Sequence, residues 1–137
     1  YYHSIENKGR LAIPASFREE LISGGVLTWG LDGCLFLFPN SYWQKFSEKL
    51  ASLSLTNQAA RNLTRIMVQS ASDLNLDAQG RTLIPEHLRK QANLKKKVVV
   101  AGSLNRIEIW DQDMYHQHLE LISQTINQSP DLINLDL

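Results

Sequence analysis

A run of acid, glycine, arginine and proline occurs twice in this 137-residue chain, as ENKGRLAIPASFREEL from Glu6 to Leu21 and as DAQGRTLIPEHLRKQA from Asp77 to Ala92. At an offset of 71, Gly9, Arg10, Ile13, Pro14 and Arg18 fall on Gly80, Arg81, Ile84, Pro85 and Arg89, and Glu6 falls on Asp77. Beyond that, an offset of 72 lays VLTWGLDGCLFLFP over VVVAGSLNRIEIWD, with Gly30 on Gly102 and Leu35 on Ile107. The match covers two whole units, roughly 5–50 and 76–126. Two copies are too few to stack as a solenoid, so a pseudo-twofold pair is expected.

Each unit reads in the same order. A short strand leads to a turn at Gly9 or Gly80, where glycine takes a positive φ without steric cost. A second strand, RLAI or RTLI, stops at Pro14 or Pro85, which lacks the amide that a continued ladder needs but suits the first turn of a helix. Phe17 and Leu21 are four residues apart, as are Leu88 and Ala92, so one face of a short helix packs inward and leaves Arg18 and Arg89 on another. A hairpin follows, with Asp32-Gly33 and Asn105 as turn signals. The predicted unit is β-turn-β-α-β-turn-β.

A longer helix is predicted after each unit. Trp43, Phe46, Leu50 and Leu53 fall at i, i+3, i+7 and i+10, and Leu63, Ile66 and Met67 suggest a second helix after that. Tyr115, Leu119, Ile122 and Ile126 form a similar stripe at i, i+4, i+7 and i+11. The expected organisation is a first unit with its trailing helix over 1–53, a helical connector over 54–75, a second unit with its helix over 76–126, and a C-terminal tail over 127–137 broken at Pro130. The stripes need a partner surface that a two-unit barrel cannot easily supply, so a homo-oligomer is expected.

With 43% hydrophobic residues, a chain of this length can bury one ordinary core or two small ones. No apolar run approaches the ~20 residues of a membrane span and no secretory signal is evident, so a soluble protein is expected. The single cysteine, Cys34, forms no internal disulfide and reads as a small core residue in GCLFLF. Formal net charge is zero, 14 basic against 14 acidic residues, but the charges are segregated. Between Asp77 and Lys97, Arg81, Arg89, Lys90, Lys95, Lys96 and Lys97 face only Asp77 and Glu86, whereas no Lys or Arg occurs from Ile107 to Leu137. One face is therefore able to attract an anionic partner.

Nothing in the chain reads as catalytic. His116 and His118 are two apart on a predicted helix rather than at the i, i+4 spacing of a helical metal site. The acid pairs Glu19/Glu20 and Asp111/Asp113 read as solvated faces, and neither a phosphate-cradling GxxxxGK[ST] nor a GxSxG segment is present. No enzyme activity, metal or cofactor is expected.

The acid-to-arginine spacing is more informative. Glu6 and Arg10, and again Asp77 and Arg81, flank a turn at i and i+4, close enough to meet across it. Such a pair can simply fix the turn. Arg10 with Lys8 and then Arg18, and Arg81 with Arg89 and Lys90, would also project from a two-stranded element and the helix after it. A β-ribbon of that kind enters a major groove, where arginine bonds guanine and lysine holds phosphate.

LDAQGRTLIPEHLRKQANL resembles the AbrB-type swapped-hairpin DNA-binding domain. Two such units in one chain, with ENKGRLAIP first and IEIWD near the end, resemble the MraZ family. The resemblance implies an α+β fold in which tandem AbrB-like units form a pseudo-twofold swapped-hairpin β-barrel flanked by helices. It further implies a bacterial transcription regulator, cytoplasmic and nucleoid-bound, that contacts double-stranded DNA at short direct repeats ahead of the division and cell-wall gene cluster, as a ring oligomer. The family pattern D-x-x-x-R maps onto Asp77 and Arg81, with Arg10 matching in the first half. Glu6 stands where the family has aspartate, keeping the charge but adding a methylene, so its hold on Arg10 is less secure. The basic positions map onto Arg81, Arg89 and Lys90, with Glu19 at the place of Lys90 in the first copy. Glu6, Lys8, Arg10, Arg18, Asp77, Arg81, Arg89 and Lys90 are thus the expected DNA-contacting set. The alternative is an oligomeric protein-binding scaffold in which the arginine turns are structural.

Overall fold

A computed structural model describes residues 1–128 of the chain. The expected tail from 129 onward lies outside the described residues. In chain order the elements are β1 (Tyr2–Ser4), β2 (Arg10–Ala12), α1 (Ala15–Arg18) with a 3-10 turn over Glu19–Leu21, β3 (Gly25–Trp29), β4 (Leu35–Pro39), α2 (Asn40–Ala51), α3 (Gln58–Ser70), β5 (Ser72–Leu74), β6 (Arg81–Leu83), α4 (Glu86–Gln91), β7 (Lys97–Ser103), β8 (Arg106–Asp111) and α5 (Gln112–Asn127). Each repeat has the expected order of strands and helices. The first hairpin closes where the Gly30 amide donates to the Cys34 carbonyl at 2.9 Å, and in the three-residue loop between them Asp32 and Gly33 have φ of 66° and 94°, the left-handed region that the expected turn signal supplies. In the second hairpin the positive φ falls on Leu104, one residue before the expected Asn105.

The strands form a six-stranded sheet in the order β1-β7-β8-β4-β3-β5 and a separate two-stranded ribbon, β2-β6. All pairings are antiparallel. The repeats exchange strands: β1 of the first pairs with β7 of the second, and β5 of the second with β3 of the first. In the ribbon Leu11 faces Thr82, with Arg10 opposite Leu83 and Arg81 opposite Ala12. At the centre of the sheet Phe36 faces Glu108, flanked by Leu35–Ile109 and Leu37–Ile107. Both registers map onto themselves when the repeats are interchanged, so one pseudo-twofold axis passes through both central pairs. The large sheet is not closed. Its edges are the three-residue strands β1 and β5, and β2 and β6 pair only with each other, so what these pairings make is an α+β fold with antiparallel sheets rather than a closed barrel.

Strand alternation divides the apolar side chains between the two faces. Leu35, Leu37, Val98, Val100, Ile107 and Ile109 meet Leu11, Ile13, Ile84, Leu88 and Ala92 of the ribbon and short helices in one buried cluster. Phe36, Phe38, Val99 and Trp110 point the other way and meet Leu50 and Met67, with Trp43, Phe46 and Leu63 packed alongside. Burial of each such side chain contributes on the order of 1.5–3 kcal/mol, and because one sheet serves two clusters its strands read as continuous apolar runs. Cys34 lies in the second cluster, fully buried, where burial first, and the Glu108 carboxylate second, push its thiol pKa up to about 12.

The axis is broken on the outer face. Where the first repeat has Phe36, the second has Glu108, which accepts from Arg106 at 2.9 Å and from the Trp110 indole at 3.1 Å. The Arg106 guanidinium lies 4.5 Å from the Phe36 ring centroid, a cation–π contact at the repeat boundary. Helix α3 covers the first repeat's half, and Thr28 on β3 donates to the Met67 carbonyl to hold it there. Helix α5 starts at Asp111, whose buried carboxylate accepts from the Met114 amide at 3.3 Å. Tyr115 packs on Trp110, but the rest of its stripe is uncovered: Leu119, Ile122 and Ile126 are 41%, 37% and 44% exposed. No helix among the described residues is long and apolar enough to cross a membrane.

Candidate nucleic-acid interface

The β2–β6 ribbon and the turns that lead into it gather the singled-out residues at one end of the molecule. Each turn closes in the same way: the Gly9 amide donates to the Glu6 carbonyl and the Gly80 amide to the Asp77 carbonyl, both at 2.9 Å. Gly9 and Gly80 have φ of 82° and 77°, the left-handed region that the sequence requires of them. Across the axis, the Ile13 amide donates to the Gly80 carbonyl and the Ile84 amide to the Gly9 carbonyl, again at 2.9 Å. These are the last amides before Pro14 and Pro85, so the prolines end the ribbon where its bonding is complete.

Arg18 and Arg89 serve both repeats at once. The Arg18 Nε donates to the carbonyl of its own Ile13 at 2.8 Å, and the Arg89 Nε to that of Ile84 at 3.0 Å. Each guanidinium then lies flat against the turn glycine of the other repeat, Arg18 on Gly80 and Arg89 on Gly9. A Cβ on Gly9 would stand 3.0 Å from the Arg89 Cζ, so the absence of a side chain is what admits the guanidinium. Both arginines are half-buried, and their first task is to lock the ribbon; their outer nitrogens remain at its flanks.

The carboxylates break the symmetry. Asp77 Oδ1 accepts from the amides of Gln79 and Arg81, each at 2.9 Å, and Oδ2 accepts from Arg81 Nε at 3.2 Å. The Arg81 amide above all, and then the Gln79 amide and the Arg81 guanidinium, lower the Asp77 pKa below its ordinary value. Glu6 forms no such cap and does not turn to Arg10. Its Oε2 lies 3.0 Å from Arg81 Nη1, across the ribbon in the other repeat. The Glu6 charge first, and Asp77 second, raise the Arg81 pKa above its ordinary value. The expected Asp77–Arg81 pair is present; in place of the expected Glu6–Arg10 pair, Arg81 is held by both acids. The extra methylene of Glu6 carries its carboxylate past the amides that an aspartate reaches, and Arg81, opposite Ala12 in the ribbon, is the cation it meets.

Arg10 and Lys8 are exposed and make no ion pair among the described residues. Lys90 pairs with Glu86 one helical turn away at 3.1 Å, an exposed i, i+4 contact whose hydrogen bond lowers the Glu86 pKa. Lys95, Lys96 and Lys97 are exposed beside the first-repeat turn, since the Lys96 carbonyl accepts from the Ile5 amide at 2.8 Å. Spacing within each repeat misses the cross-repeat contacts, Glu6 to Arg81 and each helix arginine to the opposite glycine. The signal for them was the duplication itself, because two half-ribbons that pair with each other place every turn beside the other repeat's helix. No group of three or more His, Cys, Asp or Glu among the described residues is arranged to hold a metal. The arrangement offers fixed and free cations on a narrow ribbon, suited to an anionic polymer.

Comparison with known proteins agrees with the duplication. The family model described as MraZ protein matches twice, over residues 1–66 and 67–132. The chain belongs to the MraZ family. The family's halves meet inside α3, so the helix after the first repeat's core is divided between them. A relative in Finegoldia magna, a transcriptional regulator MraZ, is 42% identical over 138 residues, covering 100% of this chain and 96% of its own. Relatives of the same name in Carboxydothermus hydrogenoformans and Alkaliphilus metalliredigens are 45% and 47% identical over 118 residues, 86% of this chain and 82% of theirs. The family is one of transcriptional regulators and not of enzymes.

Proposed function

We propose that this protein regulates transcription by laying the β2–β6 ribbon in the major groove of double-stranded DNA, as a homo-oligomer whose subunits engage successive short direct repeats. The observation that carries the reading is the ribbon itself, which presents Arg10 free and Arg81 aimed by two carboxylates in a chain whose relatives are named transcriptional regulators. A carboxylate-held guanidinium is suited to bidentate bonding of guanine, while Lys8 and Lys90 supply phosphate contacts. Arg18 and Arg89 keep the ribbon rigid and add charge at its flanks. On this reading the strand exchange between repeats is the one-chain counterpart of a swapped-hairpin dimer, and the exposed stripe of α5 joins neighbouring subunits, in a ring as the resemblance implies. The site of action is the cytoplasmic nucleoid, ahead of the division and cell-wall gene cluster. The units proposed from the repeat, 1–53 and 76–126 joined by 54–75, would each contribute one half of the DNA-reading ribbon.

The test is binding of the purified chain to a direct-repeat duplex and to a scrambled duplex across a range of salt. Tighter binding to the repeats, with log affinity falling steeply against log salt, is expected. Arg10→Ala and Arg81→Ala should each weaken repeat binding by about 1–3 kcal/mol per lost base contact while the circular dichroism spectrum is unchanged. The competing scaffold reading is favoured by the uncovered α5 stripe; equal, weak binding to both duplexes would put it first.

A further inference from the structure

The two corners that flank the ribbon are built alike but lined differently. At the corner where the Arg89 guanidinium lies on Gly9, a hollow opens between the end of α4 and the start of β7, lined by Glu86, Arg89, Lys90, Asn93, Leu94 and Lys95. Lys95 is exposed and in no ion pair among the described residues. Lys90 is paired with Glu86, but both side chains are mostly exposed, so a phosphate can take the place of the carboxylate. The Asp111 carboxylate lies behind the Lys95 amide at 3.4 Å, buried and shared with the Met114 amide. Nor does the end of α4 turn bare carbonyls to the hollow: those of Leu88, Arg89 and Lys90 accept from the amides of Ala92, Leu94 and Asn93. At the equivalent corner, where Arg18 lies on Gly80, the lining includes Leu21, Ile22, Gly24 and Asp77, and Arg18 is its one cation. Glu19 stands there at the place of Lys90, and Ser23 at that of Lys95.

We infer that the hollow at the α4 corner is a seat for one DNA backbone phosphate, held by Lys95 and Lys90 over the outer nitrogens of Arg89, and that the α1 corner is not. The inference rests on the DNA-binding reading above. A two-stranded ribbon fills a groove about 12 Å wide, so the phosphate rows that bound the groove fall against the corners beside the ribbon. Both rows carry the same charge, and the seat is filled whichever way the ribbon lies. It therefore adds affinity without reading sequence or setting direction. Lys95 supplies the unpaired charge, and Glu86 is the competitor that the phosphate displaces from Lys90.

The experiment compares Lys95→Gln with Lys97→Gln in the full chain, on the direct-repeat and scrambled duplexes, across a salt series. Lys97 is an exposed lysine two residues away that lines a different hollow, with Tyr2, His3, Ser4 and Gln112, so it reports what a diffuse positive charge alone contributes. Lys95→Gln is expected to weaken binding to both duplexes by the same factor and to flatten the slope of log affinity against log salt by about 0.9, the share of one phosphate. Lys95→Arg should restore both, and Lys97→Gln should leave the slope near that of wild type. Glu86→Gln should raise affinity for both duplexes by freeing Lys90; no rise would remove Lys90 from the seat. An unchanged slope in Lys95→Gln, or equal flattening in Lys97→Gln, would overturn the inference and leave DNA binding intact. So would a loss confined to the repeat duplex, which would make Lys95 a reader of bases. Failure of the wild-type chain to bind either duplex would remove the inference together with the function on which it rests.

Discussion

Asp77 is short enough to bond the amides of its own turn, whereas Glu6, at the equivalent place, leaves its turn uncapped and crosses to Arg81. The spacing of acid and arginine was legible in the sequence, as was the difference of one methylene. Which arginine Glu6 would meet was not, because the choice depends on a ribbon that brings residues 75 positions apart together. The Asp77 cap makes a pH-dependent contribution whose sign follows from its lowered pKa. The contribution is present above the unfolded value of about 3.9 and is lost as pH falls through that value and the lower folded one. In Asp77→Asn the amide oxygen still caps the turn but no longer titrates. Thermal melts should therefore show wild type ahead of the variant at neutral pH and the gap narrowing below about pH 4; a constant gap would mean that the carboxylate charge adds nothing to the turn.

The ribbon depends on reciprocal bonding between elements. Proline ends each strand, the preceding isoleucine amide reaches the other repeat's glycine carbonyl, and the helix arginine closes the corner from above. Arg89→Met preserves the length of the side chain and its apolar contact but removes the bond to the Ile84 carbonyl. Its urea midpoint should fall by the equivalent of about 1 kcal/mol, somewhat below the ~1.5–3 kcal/mol of a hydrogen bond to a charged group, since Arg89 is only half-buried. An unchanged midpoint would mean that packing alone holds the corner. The elements were largely evident from periodicity and from the placing of Gly9, Pro14, Gly80 and Pro85. The division of Arg18 between helix and ribbon was not, because its partner glycine belongs to the other repeat.

For the whole molecule, two clusters on opposite faces of one open sheet leave α5 with no buried residue. The second repeat has no described counterpart of α3, and Glu108 replaces the phenylalanine that such a helix would cover. On the oligomer proposed above, Leu119→Glu with Ile122→Glu should reduce the mass seen by light scattering to that of a single chain. It should also abolish the gain in affinity that several DNA repeats give over one, because the gain comes from linked binding and not from new contacts. Unchanged mass would place the subunit interface elsewhere.

The sequence by itself determined the repeat, the order of elements within each unit and the turns that demand glycine, because these depend on neighbours a few positions apart. Only the tertiary structure decided which strand pairs with which, that the large sheet stays open, and that Arg81 is held twice while Arg10 is left free. Those outcomes depend on contacts between the repeats, where two nearly identical halves offer each side chain two nearly identical partners, and distance alone selects one.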